Sequence, residues 1–487
     1  MSLSTPSTAT LTKPRAPELI RGLNAWHATS IVAGTIIGSG IFLVPAEMMQ
    51  AVGSAGLVYL AWIVGGLLSF FGALTYAELG SVRPYAGGEY VYVRDAYGPL
   101  PAFLYGWTWF LIAKPASIAS VTAGLVRVLG TFSAFHFLPD TLFSFHVTSS
   151  RVLVITYGHL VAIAANVFIT GLNYIGIRKA GAFQLAFTVL KVGMIVGIAV
   201  IALTAASGSW GNFGTSFPGA IGGVSGFMAA LVAALWAYDG WNDLNMVSEE
   251  IQRPEKNIPL ALVLGVGVVA VLYMGLNAGI QYALPAAAIA NSAVPAAAAS
   301  EAALGHLGIV LVSIGMMVSM LATLNGTVMS GGRVPFAVAR DGYFFKALGE
   351  VHPRFHTPAL ALVIQGAVAV LLIVVGGAFR ELFSLAIFAE WLFYMVAAST
   401  IFVFRKREPD VARPYRTAGY PLVPAIFICT AFVLLCYTFA SNLRDSIGGV
   451  VVILLGVPVY LWFARQRKTG SQDSPRIVRE YKTGQGP

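Results

Sequence analysis

The sequence predicts an all-α integral membrane protein. It has twelve membrane-crossing helices arranged as a five-plus-five inverted repeat, with helices 1 and 6 broken, plus two C-terminal helices. Three observations carry this reading. Of the 487 residues, 57% are apolar and 10% charged, with a mean hydropathy of +0.77, whereas an ordinary soluble domain is about 25% charged. Lys and Arg alternate between the loops of the two sides. Glycine-rich or acidic interruptions fall near the middle of the first and sixth apolar runs, and matched breaks in two halves point to an inverted-repeat carrier.

A crossing helix needs about 20 apolar residues. Runs of that kind cover roughly 24–49, 56–83, 100–127, 152–177, 182–206, 222–250, 258–283, 305–331, 358–376, 380–404, 421–441 and 447–465. The ninth and twelfth are the shortest, and the sixth carries the most polar residues. An Ala-rich stretch at 284–304 is expected to hold a short surface helix. Repeat one would span about 24–206, repeat two about 222–404, and the two extra helices about 421–465. All lie within a transporter domain over 21–466, flanked by polar tails at 1–20 and 467–487. The first tail has no apolar core of a signal peptide and reads as disordered.

Of the 30 Lys and Arg, 24 fall on the side shared by both termini, four (Arg127, Arg151, Arg380, Arg444) fall opposite, and Lys114 and Lys191 lie inside spans. That bias places both termini in the cytoplasm; the expected location is the cell (inner or plasma) membrane. The formal charge of +9 could suggest a nucleic-acid binder. Its residues sit in short loops between apolar runs, so no nucleic-acid partner is expected; the lipid bilayer is.

Enzyme signatures are missing from the sequence. There is no Gly-Lys dipeptide and hence no P-loop, no HExxH and no GxSxG. No enzyme activity, cofactor or metal site is expected. The two cysteines, Cys429 and Cys436, share one apolar run and stand about two turns apart, too far for a disulfide.

The chemistry lies in the interruptions. The first span contains Gly34, Gly38, Ser39 and Gly40 near its middle. Each interior Gly disfavours helix by about 1 kcal/mol relative to Ala. The sixth places Asp239 and Gly240 in Ala234-Leu-Trp-Ala-Tyr-Asp-Gly-Trp-Asn242, where a mid-membrane carboxylate is costly. Unwound backbone needs partners in a dry setting. The amino end of the outer half of helix 1, from Ile41, suits a carboxylate. The carbonyl end of the first half of helix 6, near Trp236 and Ala237, suits an ammonium. A ligand carrying both groups at short range is an α-amino acid. The competing explanation for Gly34, Gly38 and Gly40 is a small-residue packing face.

These residues resemble the amino acid–polyamine–organocation superfamily, and within it the L-type amino acid transporters. The resemblance runs from about residue 20 to 465. It rests on an ordered set: Gly34-Thr-Ile-Ile-Gly-Ser-Gly-Ile-Phe-Leu-Val-Pro45; Gly87-Gly-Glu-Tyr90; Trp236 to Asn242 followed by Glu249-Glu250 and Pro254-Glu-Lys-Asn-Ile-Pro259; Asn325-Gly326 followed by Arg333 and Ala339-Arg-Asp-Gly342; and Arg413-Pro-Tyr-Arg416. The resemblance implies a substrate site at Ile37, Gly38, Ser39, Gly40, Trp236, Ala237, Tyr238, Asp239 and Gly240, with Trp236 as an aromatic gate and Asn325 close to the pocket. Lys191, in Phe187-Thr-Val-Leu-Lys-Val192, matches the helix 5 lysine of sodium-independent members. Its ammonium can stand where sodium-coupled carriers hold a cation, or carry a proton.

The expected function is sodium-independent, alternating-access transport of L-amino acids, small and neutral by default, in exchange mode. Proton-coupled symport, or a broad neutral and cationic exchanger using Asp239, are the alternatives. Eukaryotic light chains of this family bond a heavy subunit through a Cys between helices 3 and 4. The segment 128–151 has none, so no disulfide-linked heavy chain is expected, and the chain is read as a stand-alone monomer of prokaryotic type. Lys114 or Lys191 could pair with Asp239 or Glu390; the sequence does not choose. Tyr238, Trp241 and Trp391 could line the pocket or pack. Glu249 and Glu250 are expected to bridge loop bases.

Overall fold

The computed structural model describes residues 17–148, 151–375, 379–441 and 443–469. The outer parts of both predicted tails lie outside the described residues. Among the described residues the regular structure is helical except for one hairpin.

The first expected span is two helices, α1 (Ala25–Ile36) and α2 (Gly40–Val52). Asn24 caps α1, accepting from the His27 amide at 3.0 Å while its own amide donates back to His27 Nδ1. This satisfies two N-terminal donors. Next come α3 (Ala55–Val82), the short α4 (Glu89–Tyr97), α5 (Pro99–Thr108) and α6 (Lys114–Leu129). Residues Trp109–Ala113 between α5 and α6 form a π-helical turn. Pro115 has no N–H for the Leu111 carbonyl, and the wide turn lets the helix continue past it.

Between α6 and α7 (Tyr157–Tyr174) lies an antiparallel hairpin, β1 (Thr141–Thr148) with β2 (Arg151–Thr156). The hairpin is a local addition to an otherwise helical fold among the described residues, and it corrects the expected start of the fourth helix near residue 152. Val152-Leu-Val-Ile155 is rich in β-branched residues, which favour a strand. The helix starts only where the Thr156 side chain caps the His159 amide, at 3.3 Å.

The second part of the chain holds α8 (Ile177–Ala202), α9 (Gly223–Ala237), α10 (Asp243–Met246) and α11 (Pro254–Ala283). Two short helices follow, α12 (Ala286–Ala290) and α13 (Pro295–Leu304). They replace the single surface helix expected over 284–304, and Ala296 and Ala299 are fully buried against neighbouring helices. The chain then forms α14 (His306–Gly331), α15 (Arg333–Arg340), α16 (Ala359–Val375), α17 (Phe379–Arg407), α18 (Leu422–Ser441) and α19 (Leu443–Thr469). Cys429 and Cys436 are both on α18 and form no disulfide.

Among the described residues, eight helices are long and apolar enough to cross a membrane, counting α1–α2, α5–α6 and α14–α15 as one each; α9 and α16 are shorter apolar helices. This is a multi-pass membrane protein. Its centre is the contact set α1 on α8, α11 and α14, with α2 on α9 and α3 along α11. Those contacts bring both broken segments to the middle of the bundle. α18 and α19 expose large apolar side chains such as Phe432, Val433, Leu454 and Leu455, as a lipid-facing surface requires.

Candidate functional site: two broken helices face to face

Helix 1 is interrupted at Ile37, Gly38 and Ser39, between α1 and α2. Its exposed carbonyls are met by side chains. Lys191 Nζ, on α8, donates to Gly34 O at 2.6 Å and Ile37 O at 2.7 Å. Ser319 Oγ, on α14, donates to Ile37 O at 2.7 Å. Thr323 Oγ1 lies 3.1 Å from Ile37 O and 3.3 Å from Gly34 O. Lys191 is 1% exposed, so its charge is balanced by carbonyl dipoles and not by a carboxylate. On the other side of the break, the Ser39 side chain makes no cap bond. The backbone N–H groups of Ser39, Gly40 and Ile41 have no acceptor among the described residues. They point from the positive end of α2, the arrangement that receives an anion.

Helix 6 breaks between α9 and α10. Gly240 has φ +106°, a conformation that side-chain-bearing residues rarely adopt. Its carbonyl accepts from Thr35 Oγ1 at 2.8 Å, which ties the two breaks together. A second tie comes from α11: the Tyr273 hydroxyl lies 3.1 Å from Ile36 O and 2.9 Å from Ala237 O. A third is steric. A Cβ at Gly40 would sit 3.2 Å from the Trp236 ring and 3.4 Å from Ala237. The backbones approach this closely only because residue 40 is Gly.

The expected site residues divide. Ile37, Gly38, Ser39, Gly40, Trp236, Ala237, Asp239 and Gly240 are together at the paired breaks. Trp236 is 37% exposed with its ring over Gly40. Tyr238 is buried, packed on Trp62 and Tyr273. Trp241 likewise packs edge-on against Tyr76. Asn325 is not brought to the break. Its amide donates to Ala180 O and to Gln184 Oε1, and its oxygen accepts from Asn173. All of its polar atoms are thereby used between α7, α8 and α14.

The charge pairs differ from those expected. Lys114 is bonded to Asp243, a partner outside the expected set. Asp239 accepts from the Tyr394 hydroxyl at 3.0 Å instead of from a lysine, and Glu390 makes no ion pair among the described residues. Asp243 is favoured because α10 follows the break directly and presents its first residue to the start of α6. Sequence reading also missed Ser319, Thr323, Thr35 and Tyr273. Ser319 and Thr323 stand four apart on α14, one face of a helix, and that spacing was available as a signal.

One end of the bundle is closed by ion pairs. Arg333 makes two bonds to Glu250, at 2.7 and 3.0 Å, with neither side chain exposed. Arg340 meets Glu249 at 2.9 Å, and Glu249 also accepts from the Ala86 amide. The expected bridges of Glu249 and Glu250 are thus present, with α15 as the source of both bases. Gly88, at φ +48°, leaves only 2.7 Å between an added Cβ and the Asn245 backbone, so the Gly87-Gly88 turn seats directly on the end of helix 6.

A membrane-embedded helix bundle with two facing breaks, anion-ready amides on one and carbonyls on the other, defines a carrier for a small zwitterion. The chain belongs to the amino acid permease family, whose model matches residues 23–470. It is 32% identical over 445 residues to the serine/threonine exchanger SteT of Bacillus subtilis, covering 90% of this chain and 96% of that one. It is 30% identical over 458 residues to the human b(0,+)-type amino acid transporter 1, covering 93% and 90%. It is also 30% identical over 447 residues to the human cystine/glutamate transporter, covering 92% and 86%.

Proposed function

We propose that the protein is a sodium-independent carrier of L-amino acids that works by alternating access in exchange mode, with small neutral amino acids as its default substrates. The observation that carries this is the trio of amides at Ser39, Gly40 and Ile41, unpartnered among the described residues, at a break where Gly40 packs against Ala237 of the other. The substrate carboxylate accepts from the amides of helix 1. The substrate ammonium takes the Ala237 carbonyl in place of the Tyr273 hydroxyl. Lys191 occupies the carbonyls of Gly34 and Ile37 as a tethered cation, which removes the need for a mobile sodium ion there. The serine/threonine exchange named for the bacterial relative supports both the exchange mode and the small substrate.

In this reading the chain crosses the membrane twelve times, the eight long apolar helices being joined by α7, α9, α16 and α17. The first ten form the inverted repeat. Both termini and the Arg333–Glu250 end face the cytoplasm of a cell bounded by its plasma membrane. The buried Arg333–Glu250 pair, with partial exposure kept at Gly38, Ser39 and Trp236, describes a carrier closed on the cytoplasmic side. No disulfide-linked heavy chain takes part, and a single chain contains the whole site.

Two features favour variants of the scheme. Lys191 has no carboxylate partner among the described residues, which suits proton coupling. Asp239 stands at the break without an ion pair, which suits a cationic side chain. The experiment is uptake of labelled alanine, leucine and arginine into sodium-free proteoliposomes, with and without amino acid inside. Uptake only into loaded vesicles supports exchange. Uptake into empty vesicles driven by a proton gradient replaces it with symport, and failure of all three overturns the substrate class.

A further inference from the structure

A cavity of about 610 Å³ lies away from the paired breaks, between α6, α7 and α16 beside the hairpin. Its size falls in the range of about 300–1,000 Å³ typical of small-molecule sites. The walls change character along its length. Ala119, Ala162 and Ile373 form a buried apolar cluster at one part. Arg127 and His159 line another. Arg127 has no ion-pair partner among the described residues, and no carboxylate lines the cavity. Asp140 is near in sequence, but its side chain is not part of the lining. His159 Nδ1 accepts the Thr156 amide at 3.0 Å, so its proton resides on Nε2 and the ring offers a donor.

Depth fixes what this polarity means. Lys114 begins α6 and meets Asp243 at the helix 6 break, which marks the middle of the bundle. Ala119 lies about 8 Å further along α6, and Arg127 about 20 Å. The hydrocarbon half-thickness is about 15 Å. The apolar wall is therefore at acyl-chain depth, and the arginine and histidine are at headgroup depth, on the side away from the Arg333–Glu250 end.

We infer that this cavity binds an anionic phospholipid from the adjoining leaflet, with an acyl chain along Ala119, Ala162 and Ile373 and its phosphate on Arg127 and His159. Charge complementarity selects the occupant: Arg127 is a cation, His136 and His159 lie in the same lining, no carboxylate does, and arginine pairs with phosphate in bidentate fashion. A zwitterionic lipid would bring an ammonium or choline with no carboxylate to receive it.

The test is native mass spectrometry of the full chain after equilibration with mixed micelles of dioleoyl phosphatidylglycerol and dioleoyl phosphatidylcholine in equal amounts. The wild type should retain phosphatidylglycerol at least fivefold over phosphatidylcholine. Arg127→Ala should lose that preference, and Ala123→Trp, which fills the cavity from its α6 wall, should lose retention of both. Equal retention of the two lipids by the wild type would overturn the inference, as would an unchanged preference in Arg127→Ala. Retention of added oleate in place of phosphatidylglycerol would overturn the phospholipid assignment. Arg127 is exposed and its side chain makes no bond among the described residues, so its variant keeps the test usable if Ala123→Trp fails to fold.

Discussion

Replacing Lys191 by Met separates a stabilising charge from a working one. The ammonium makes two bonds to carbonyls, at 2.6 and 2.7 Å. Bonds involving a charged group contribute about 1.5–3 kcal/mol each, so the gross loss is about 3–6 kcal/mol. The carbonyls are not both left bare: Ile37 O keeps Ser319, and the one Thr323 hydroxyl proton is within reach of Gly34 O. Removing the ammonium also relieves its burial cost, which is several kcal/mol. The two effects offset, and Lys191→Met should change stability by no more than about 2 kcal/mol. Transport should suffer far more, because the tether between α8 and the broken part of helix 1 is gone. A tenfold fall in rate needs only about 1.4 kcal/mol at the barrier. The assay is alanine exchange in proteoliposomes carrying equal amounts of wild-type and variant protein, with thermal unfolding in detergent measured beside it. Exchange reduced at least tenfold with a near-native melting curve is the expected result. Exchange within twofold of wild type would refute the tethered-cation account.

Three further variants probe the same centre. Gly40→Val should abolish amino acid binding while the protein still folds and inserts, because its side chain meets Trp236 and Ala237; normal uptake would count against the helix 1 site. Tyr273→Phe should lower the melting temperature modestly, by the equivalent of about 1–3 kcal/mol for orphaned buried carbonyls, and should alter the KM for alanine. A shift in melting without any change in KM would show that the hydroxyl is purely structural. Asp243→Asn leaves Lys114 buried without its counter-charge, a loss of about 3–5 kcal/mol, visible as poor yield and a low melting temperature. Lys114→Met combined with it should restore much of that stability.

The sequence made the broken helices legible because Gly and a mid-span Asp are costly in a membrane helix unless the backbone is needed. The structure puts the ends of α1 and α2 at Ile36 and Gly40, where the Gly-Ser-Gly triplet indicates them. Partner choice was not legible. Lys114 faces Asp243 because of how α6 crosses the turn after Gly240, a three-dimensional fact that no spacing encodes. Asn325 illustrates the converse: a polar residue in an apolar helix can serve a site or a helix contact, and here it is bonded to Asn173, Ala180 and Gln184. The hairpin was hidden because β2 is as apolar as the helix that follows it, and hydropathy alone does not distinguish a short strand from the first turns of a helix. Tyr273 looked like one more aromatic in a long apolar run, although its hydroxyl is one of the ties between the two breaks.

The most direct test of exchange through this site is efflux. Proteoliposomes are loaded with labelled serine, in sodium-free buffer at equal pH on both sides, and unlabelled serine or alanine is then added outside. Exchange predicts that label stays inside until the external amino acid is added, then leaves one for one with what enters, and that Gly40→Val abolishes the response. Efflux at the same rate without external amino acid would contradict obligatory exchange, and the same stimulated efflux from Gly40→Val would contradict the site.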